Sequence, residues 1–137
     1  MFKEAAKDKN IELILYKDSN RHYIRADKSS FIQILDNVFS NAIKFSPKNS
    51  KVTIGIKNHQ GNTRIEVTDQ GPGVSPEEMP RLFARFQKLS AQPTAGESST
   101  GLGLYISKRL TEEMGGKIWC ESPKGKGATF IIEFKKS

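Results

Sequence analysis

The stretch FIQILDNVFSNAIKFSP, residues 31–47, predicts a long helix with one buried face. Its apolar side chains recur every three or four residues, which is the period of one side of an α-helix. These residues are Phe31, Ile34, Leu35, Val38, Phe39, Ala42 and Ile43. Asp27 lies where an N-cap residue belongs, and Pro47 ends the helix. We expect the rest of the chain to be built around this element.

A second stripe on the same helix is polar. Asn37, Asn41 and Lys44 are four and three residues apart, so their side chains share another face. Asparagine is a mediocre mid-helix residue, because its amide competes with the backbone for hydrogen bonds. The stripe is either a solvated face or a site, since asparagine carbonyls can ligate Mg²⁺ and a lysine ammonium can bind phosphate. It can hold a metal-nucleotide if glycine-rich segments complete a pocket.

Composition limits the classes of protein to consider. The 137 residues suffice for one domain with a real core, and 36% apolar with 27% charged residues indicate a globular, soluble chain. No apolar run approaches the roughly 20 residues of a membrane span, and the N-terminus lacks a signal-peptide core. The single cysteine, Cys120, excludes a disulfide framework and a cysteine-rich zinc site. We therefore expect a cytoplasmic domain without membrane contacts of its own, although its parent protein can be membrane-anchored.

The formal net charge of +7 raises the question of nucleic-acid binding. The lysines and arginines are scattered, however, and no aromatic-interleaved or recognition-helix pattern groups them. A small polyphosphate ligand or an acidic protein partner explains the charge at least as well. We expect no nucleic-acid partner.

The remaining patterns predict an α+β fold. Strands are expected at residues 11–18, 22–27, 52–59, 63–69, 117–122 and 128–134. Further helices are expected at residues 75–86 and 101–116, while residues 1–10 form a lead-in or the tail of an upstream helix. The result is a two-layer α/β sandwich, with a mixed, mostly antiparallel sheet of about five strands and about three helices on one face.

Three glycine-marked turns call for an explanation. They are DQGPG at 69–73, GLGL at 101–104 and GKG at 125–127. Glycine allows positive φ and close approach of the backbone to a ligand, although each turn alone is also explained as a plain turn or cap. The second turn opens a helix, where free amides suit a phosphate. The motifs GxxxxGK[ST] and GxGxxG are absent, which excludes a P-loop and a dinucleotide fingerprint.

Five segments, in order and spacing across nearly the whole chain, resemble the N, G1, F, G2 and G3 boxes of the catalytic ATP-binding domain of sensor histidine kinases. These segments are residues 37–45, 69–73, 83–86, 100–104 and 125–127. The same superfamily includes DNA gyrase, the heat-shock chaperone ATPases and the mismatch-repair ATPases. Each box alone is a weak signal, whereas five in sequence are specific.

The resemblance implies a pocket for Mg-ATP, with ATP and Mg²⁺ as cofactors. Asn41 is similar to the family's principal magnesium ligand, and Asn37 supports the metal and phosphates. Lys44 would contact phosphate, and Phe45 would lie against the nucleotide. Lys88 stands, by a looser match, where many relatives have a phosphate-contacting arginine. Lys44 and Lys88 are therefore the candidate catalytic residues.

The resemblance also assigns the base-binding end and the lid. Asp69 would accept a hydrogen bond from the exocyclic amine of adenine, and Gly71 and Gly73 would let the backbone fold against the base. Residues 87–103 would form a mobile ATP lid. Phe83 and Phe86 either anchor that lid or are plain core aromatics. The nucleotide-contacting residues of the G2 box would be Thr100, Gly101, Leu102, Gly103 and Leu104.

The family's activity sets the functional expectation. Residues 1–10 would lead in from an upstream helical dimerisation domain, and residues 11–137 would be the catalytic domain. That domain would bind ATP or ADP and transfer the γ-phosphoryl group to a histidine of the dimerisation domain, which passes it to a response regulator. His22 and His59 lie in or beside predicted strands and lack the acceptor's helical context.

One departure from the gyrase and chaperone branch bears on turnover. That branch has a water-activating glutamate where this chain has Asn37, and the adjacent Asp36 is turned about 100° away along the helix. We therefore expect slow hydrolysis. Two other functions are left open by the sequence: an anti-sigma-factor-like serine kinase, and a nucleotide-sensing docking module without kinase activity.

Overall fold

The computed structural model describes residues 2–18, 24, 26–84, 103–123 and 127–135. Three α-helices lie in this part of the chain: α1 Phe2–Asp8, α2 Lys28–Phe45 and α3 Gly103–Glu113. The five strands are β1 Glu12–Lys17, β2 Lys51–His59, β3 Asn62–Thr68, β4 Lys117–Glu121 and β5 Thr129–Lys135. A short 3-10 helix, Met79–Arg81, follows β3. None of the described helices is long and apolar enough to cross a membrane.

The strands form one mixed sheet in the order β1-β2-β3-β5-β4. Strands β1 and β2 run parallel, and the other neighbouring pairs run antiparallel. The β2–β3 hairpin turns at Gln60 and Gly61, which both have positive φ, as the residues of a tight two-residue hairpin turn do. The predicted α+β class and the mostly antiparallel sheet are confirmed.

Helix α2 is the centre of the core. Ile34, Val38, Ala42 and Ile43 are fully buried, and they belong to one apolar cluster with the alternating inner residues of the sheet. Those sheet residues include Val52, Ile54, Ile65, Val67, Ile118, Phe130, Ile132 and Phe134. The apolar spacing of residues 31–43 therefore predicted the buried face of α2 correctly.

The predicted N-cap of α2 is also confirmed. The carboxylate of Asp27 accepts the backbone N–H of Ser30 at 3.0 Å. This hydrogen bond lowers the pKa of Asp27, because it favours the charged carboxylate. The cap satisfies one of the amides that the first turn of a helix leaves without a partner.

Two predicted elements were wrong in extent. In the predicted strand at 22–27, Ile24 forms an isolated bridge, and Ala26 and Asp27 are not in a strand. In the predicted helix at 75–86, the Ser75 hydroxyl accepts the Glu78 N–H at 3.3 Å, yet only the 3-10 helix follows. The physical reason is Pro80, which has no N–H to donate and disfavours a helical conformation at the preceding residue.

Helix α3 ends as predicted, on two glycines. Gly115 has a φ of 77°, its N–H donates to Glu112, and the Gly116 N–H donates to Thr111 at 2.9 Å. This pair of hydrogen bonds is the Schellman arrangement, in which a left-handed glycine closes the last turn. The chain then enters β4 directly.

The crowding at Gly116 gives a testable prediction. A Cβ there would lie 2.6 Å from the buried Phe134 ring and 2.9 Å from the Glu133 carbonyl oxygen, so Gly116→Ala should lower the free energy of unfolding by roughly 1–3 kcal/mol. Gly55→Ala is the matched control, because a Cβ at Gly55 meets nothing within 4 Å. Its free energy of unfolding should stay unchanged or rise by up to about 1 kcal/mol. Urea unfolding of both variants measures the difference, and equal effects would contradict this account of the packing.

Candidate functional site

The carboxylate of Asp69 is buried immediately after β3, with 5% of the residue exposed. Its Oδ1 accepts the backbone N–H of Gly71 at 2.9 Å and that of Ala128 at 3.1 Å. The Asp69 backbone N–H in turn donates to the Ala128 carbonyl at 2.9 Å. Two chain segments far apart in sequence therefore fix one carboxyl oxygen.

The second oxygen of Asp69 is the reactive feature of this arrangement. Among the described residues no side-chain oxygen is both buried and without a partner. Because Oδ2 accepts neither of the Gly71 and Ala128 amides, it is the oxygen that can accept a hydrogen bond from a ligand. Burial raises the pKa of Asp69, and the hydrogen bonds from Ala128 and Gly71 oppose that shift only in part.

Glycines around Asp69 leave room for backbone alone. A Cβ at Gly71 would collide with the carbonyl of Phe45, the last residue of α2, and a Cβ at Gly127 would collide with the carbonyl of Asp69. Gly73 has a φ of 80°, a conformation that side chains other than glycine rarely adopt. The first glycine turn is thus packed against the C-terminal end of α2, as a cradle built of main chain.

The polar stripe of α2 leads away from this cradle. Asn37, Asn41 and Lys44 are all half-buried. The Asn37 amide nitrogen donates to the Gly103 carbonyl at 3.3 Å, which ties the start of α3 to α2 and leaves the Asn37 carbonyl oxygen for a ligand. Asn37 and Phe45 are eight residues apart, or about 12 Å along the helix. The stripe therefore runs between the glycine turn at Asp69 and the glycine that opens α3.

The second glycine turn is described only from Gly103 onwards. The Gly103 carbonyl also accepts the Ser107 hydroxyl at 3.0 Å, and Leu104 packs against the core. Thr100, Gly101, Leu102, Lys88, Phe86 and the lid residues 87–102 lie outside the described residues, as does His22. The roles predicted for them stay predictions. His59 is the last residue of β2.

The ring of Phe83 belongs to the core. It packs edge-on against Phe130 with 6.2 Å between ring centroids, and the Lys108 ammonium lies 5.7 Å from its centroid. Of the two interpretations given for this residue, the structure supports the plain core aromatic. Helix α3 approaches the same ring through Lys108.

Sequence reasoning missed several residues that shape the site. The register of β3 and β5 pairs Thr68 with Thr129, and this brings Gly127 and Ala128 onto Asp69. The Ser122 hydroxyl accepts the Val74 N–H at 2.8 Å and donates to the Gly127 carbonyl at 3.2 Å. The signal available in the sequence was the third glycine segment, but its partner depends on a strand register that the sequence does not specify.

Cys120 lies beside this carboxylate. Burial, together with the charges of Asp69 and Glu121, raises the pKa of its thiol to about 12. The thiol therefore stays protonated at neutral pH and is a poor nucleophile.

The described residues also contain no group of three or more His, Cys, Asp and Glu side chains that could hold a metal. The asparagine carbonyls of α2 are then the fitting donors for a hard cation that brings its own phosphate ligands.

Comparison with known proteins relates this geometry to one family. The family model described as histidine kinase-, DNA gyrase B-, and HSP90-like ATPase matches residues 26–137. The sensor histidine kinase WalK of Bacillus subtilis (strain 168) is 34% identical over 97% of this chain and 22% of its own length. The sensor protein SrrB of Staphylococcus aureus (strain NCTC 8325 / PS 47) is 36% identical over 80% of this chain and 19% of its own length. The chain thus spans about a fifth of the length of these curated relatives.

Solved structures agree with the sequence relatives. The catalytic domain of histidine kinase ThkA, in a nucleotide-free form, has a TM-score of 0.83 and 30% identity, covering 98% of this chain and 85% of that chain. Full-length ShkA in complex with AMPPNP has a TM-score of 0.79 and 35% identity, covering 98% of this chain and 28% of that chain. ThkA in complex with the response regulator TrrA has a TM-score of 0.80 and 28% identity, covering 99% and 37%.

The burial of Asp69 predicts how stability depends on pH. The pKa of Asp69 in the folded chain lies above its ordinary value, so the folded state holds the proton more tightly than the unfolded chain does. Stability therefore falls as pH rises through the interval between the two pKa values. Asp69→Asn, which keeps an acceptor for both amides and is neutral at every pH, should be as stable as the parent or more stable at pH 7.

Urea unfolding at decreasing pH checks this prediction. The advantage of the asparagine variant over the parent should shrink as the pH approaches the range where Asp69 is protonated in both states. A variant that is less stable than the parent at pH 7 and equal to it in acid would contradict the assigned direction of the pKa shift.

Proposed function

Because the chain belongs to the histidine kinase-, DNA gyrase B-, and HSP90-like ATPase family, we propose that it is the catalytic domain of a sensor histidine kinase. It binds Mg-ATP and transfers the γ-phosphoryl group to a histidine on a separate dimerisation domain of the same parent protein. From that histidine the phosphoryl group passes to a response regulator. The relatives WalK and SrrB, and the ThkA complex with a response regulator, support this proposal.

The observation that carries the proposal is the half-satisfied carboxylate of Asp69. Its Oδ1 is held by the Gly71 and Ala128 amides, so Oδ2 is aimed without further reorganisation. A carboxylate oxygen can accept the exocyclic amine of adenine, whereas guanine presents a carbonyl at the same position. Two acceptors facing each other are mispaired, so this geometry supports a preference for ATP over GTP.

The phosphates would lie along the polar stripe of α2, toward the start of α3. The carbonyl oxygens of Asn41 and Asn37 suit Mg²⁺, which commonly takes one or two protein oxygens together with substrate phosphates and water. When bound, Mg²⁺ offsets the negative charge of the phosphates. Lys44, one turn further along the same face, would add a point charge. Lys88 and the second glycine turn would complete this end of the pocket.

The chain's own contribution to the transfer would be positioning and charge stabilisation. The adenine end is fixed at Asp69, and the triphosphate is aligned by residues of one rigid helix. The nucleophile comes from the partner domain: its imidazole nitrogen forms the bond to the γ-phosphorus as the bond to the bridging oxygen of ADP breaks. Because Asn37 is an amide, it cannot remove a proton from water, and hydrolysis in the absence of the partner stays slow.

Calorimetric titration of the chain with ATP and ADP, with and without Mg²⁺, tests the proposal. We expect binding of both nucleotides, tighter ATP binding with Mg²⁺, and very little hydrolysis.

Incubation with labelled ATP and a histidine-containing dimerisation domain should then give an acid-labile phosphoprotein. Absence of nucleotide binding would refute the proposal, strong hydrolysis by the isolated chain would refute the missing-base argument, and an acid-stable product would favour a serine kinase.

The role of Asp69 gives a further prediction. Asp69→Asn should weaken ATP binding by about 1–3 kcal/mol, or roughly 5- to 150-fold, because the amide can turn a donor toward the adenine amine. The same variant is expected to be no less stable than the parent at pH 7, so weaker binding cannot be ascribed to unfolding. Gly55→Ala is the control and should bind like the parent, because Gly55 pairs with Glu66 and a Cβ there meets nothing within 4 Å. Equal affinity of Asp69→Asn and the parent would place the base elsewhere.

A further inference from the structure

Lys9 is a buried lysine that the proposed chemistry does not use. Only 5% of the residue is exposed, although lysine is almost never buried in proteins. Its ammonium donates to the Ile43 carbonyl at 2.9 Å and to the Lys44 carbonyl at 3.2 Å. Lys9 directly follows α1, so its side chain joins the N-terminal helix to the last turn of α2.

The last turn of a helix leaves four carbonyls without helical partners. In α2 the first of them, on Ala42, accepts the Ser46 N–H at 3.1 Å and the Ser46 hydroxyl at 2.8 Å. The Ile43 carbonyl accepts both the Ser46 N–H at 3.3 Å and the Lys9 ammonium at 2.9 Å. The Phe45 carbonyl packs against Gly71. The carbonyls of Ala42, Ile43 and Lys44 therefore accept hydrogen bonds, and Lys9 donates to the last two of these.

A buried ammonium needs a reason, because an apolar side chain of similar length would fill the space without loss of hydration. The position does suit a cation, since the partial negative charge of a helix lies at its C-terminal end. Helix ends nevertheless fray readily when solvent alone satisfies their carbonyls. A charge-assisted pair of hydrogen bonds from another segment prevents that fraying.

The turn that Lys9 holds carries Lys44 and Phe45, two proposed nucleotide contacts. It also meets Gly71, whose N–H donates to the Asp69 Oδ1. We propose that Lys9 is a positioning residue of the nucleotide site: its two hydrogen bonds fix the last turn of α2 and, through that turn, the glycine turn at Asp69. This inference rests on the proposed function, because it concerns the affinity of the same site for Mg-ATP.

The two hydrogen bonds from Lys9 to the last turn of α2 form a clamp. This clamp also makes the nucleotide site depend on the position of α1. The Lys9 carbonyl accepts the Asn49 N–H at 3.0 Å, and the Ala6 carbonyl accepts the Ile11 N–H at 2.8 Å. Ala6, with 2% exposure, anchors α1 in the main core. A displacement of α1 therefore draws the Lys9 ammonium away from α2, and nucleotide binding should in return stabilise the attachment of α1.

The test compares Lys9→Met with a matched control in the whole chain. Lys9→Met keeps the length of the side chain and removes the donors, and it should bind Mg-ATP roughly threefold to thirtyfold more weakly. Asn10→Gly removes the 2.7 Å side-chain hydrogen bond from Asn10 to Asn49, which also ties α1 to the segment after α2 but does not reach the α2 carbonyls. Asn10 has a φ of 55°, which glycine tolerates, so this control should bind like the parent.

Two readouts separate positioning from a merely structural role. In Lys9→Met, hydrogen exchange at the Gly71 amide should become faster, and exchange at the β2–β3 hairpin should not change. Lys9→Arg, which keeps the charge and the donors, should restore most of the affinity. Parent-like affinity in Lys9→Met, an equal loss in Asn10→Gly, or no rescue by Lys9→Arg would each overturn the inference.

Two further outcomes, a variant that does not fold and a parent that does not bind Mg-ATP, leave the inference testable. If Lys9→Met does not fold, exchange at the Ile11 amide of the parent should slow on addition of Mg-ATP, and unchanged exchange would overturn the inference. If the parent does not bind Mg-ATP, the proposed function fails, whereas the exchange rate at Gly71 in Lys9→Met still tests whether Lys9 controls the geometry of the site.

Discussion

Close packing of main chain against main chain around Asp69 is the constraint on which the site depends. The turn after β3 lies against the end of α2, and the segment before β5 lies against Asp69, with no room for a Cβ at Gly71 or Gly127. This contact brings three distant segments to one carboxylate and supplies both amides that hold its Oδ1. The apolar face of α2 and the β3–β5 register matter to function because they bring these backbones together.

The same packing buries the charged group of Asp69, which lowers the stability of the folded state. A buried carboxylate with a raised pKa is a cost to the folded state, and an asparagine would satisfy the same two amides without charge. If its other oxygen accepts the adenine amine as proposed, that contact explains a charged acceptor in this place. Lys9 shows a similar conflict at the last turn of α2, where an ammonium is buried although an apolar side chain would fit. Both groups lie next to the proposed nucleotide contacts, where proteins commonly retain costly polar groups.

Local signals in the sequence predicted the elements well, and long-range contacts poorly. The α2 face, the Asp27 cap, the Gln60–Gly61 hairpin turn and the glycine cap of α3 all depend on residues close in the chain. The helix predicted at 75–86 was wrong in extent because its cap signal at Ser75 was extended past Pro80, although that proline blocks a regular helix. Neither the contact of Gly127 with Asp69 nor the clamp of Lys9 on α2 has a local signal. Each depends on a pairing between segments more than 30 residues apart.

The polar stripe of α2 is held unequally at its two ends, near Phe45 and near Asn37. At the end near Phe45, a charged side chain donates at 2.9 and 3.2 Å and the glycine turn packs on the last carbonyl. At the end near Asn37, one neutral amide donates to Gly103 at 3.3 Å. Hydrogen bonds from charged donors are stronger than neutral ones, so the first end is the more rigid. If a nucleotide lies along α2 as proposed, its base meets a preformed wall, whereas its phosphates meet an α3 start that is joined to α2 by a neutral hydrogen bond and held by the core packing of Leu104. A conformational change on ligand binding is then expected at α3 rather than at Asp69. Such a change occurs most easily where the contacts that must be broken are weakest.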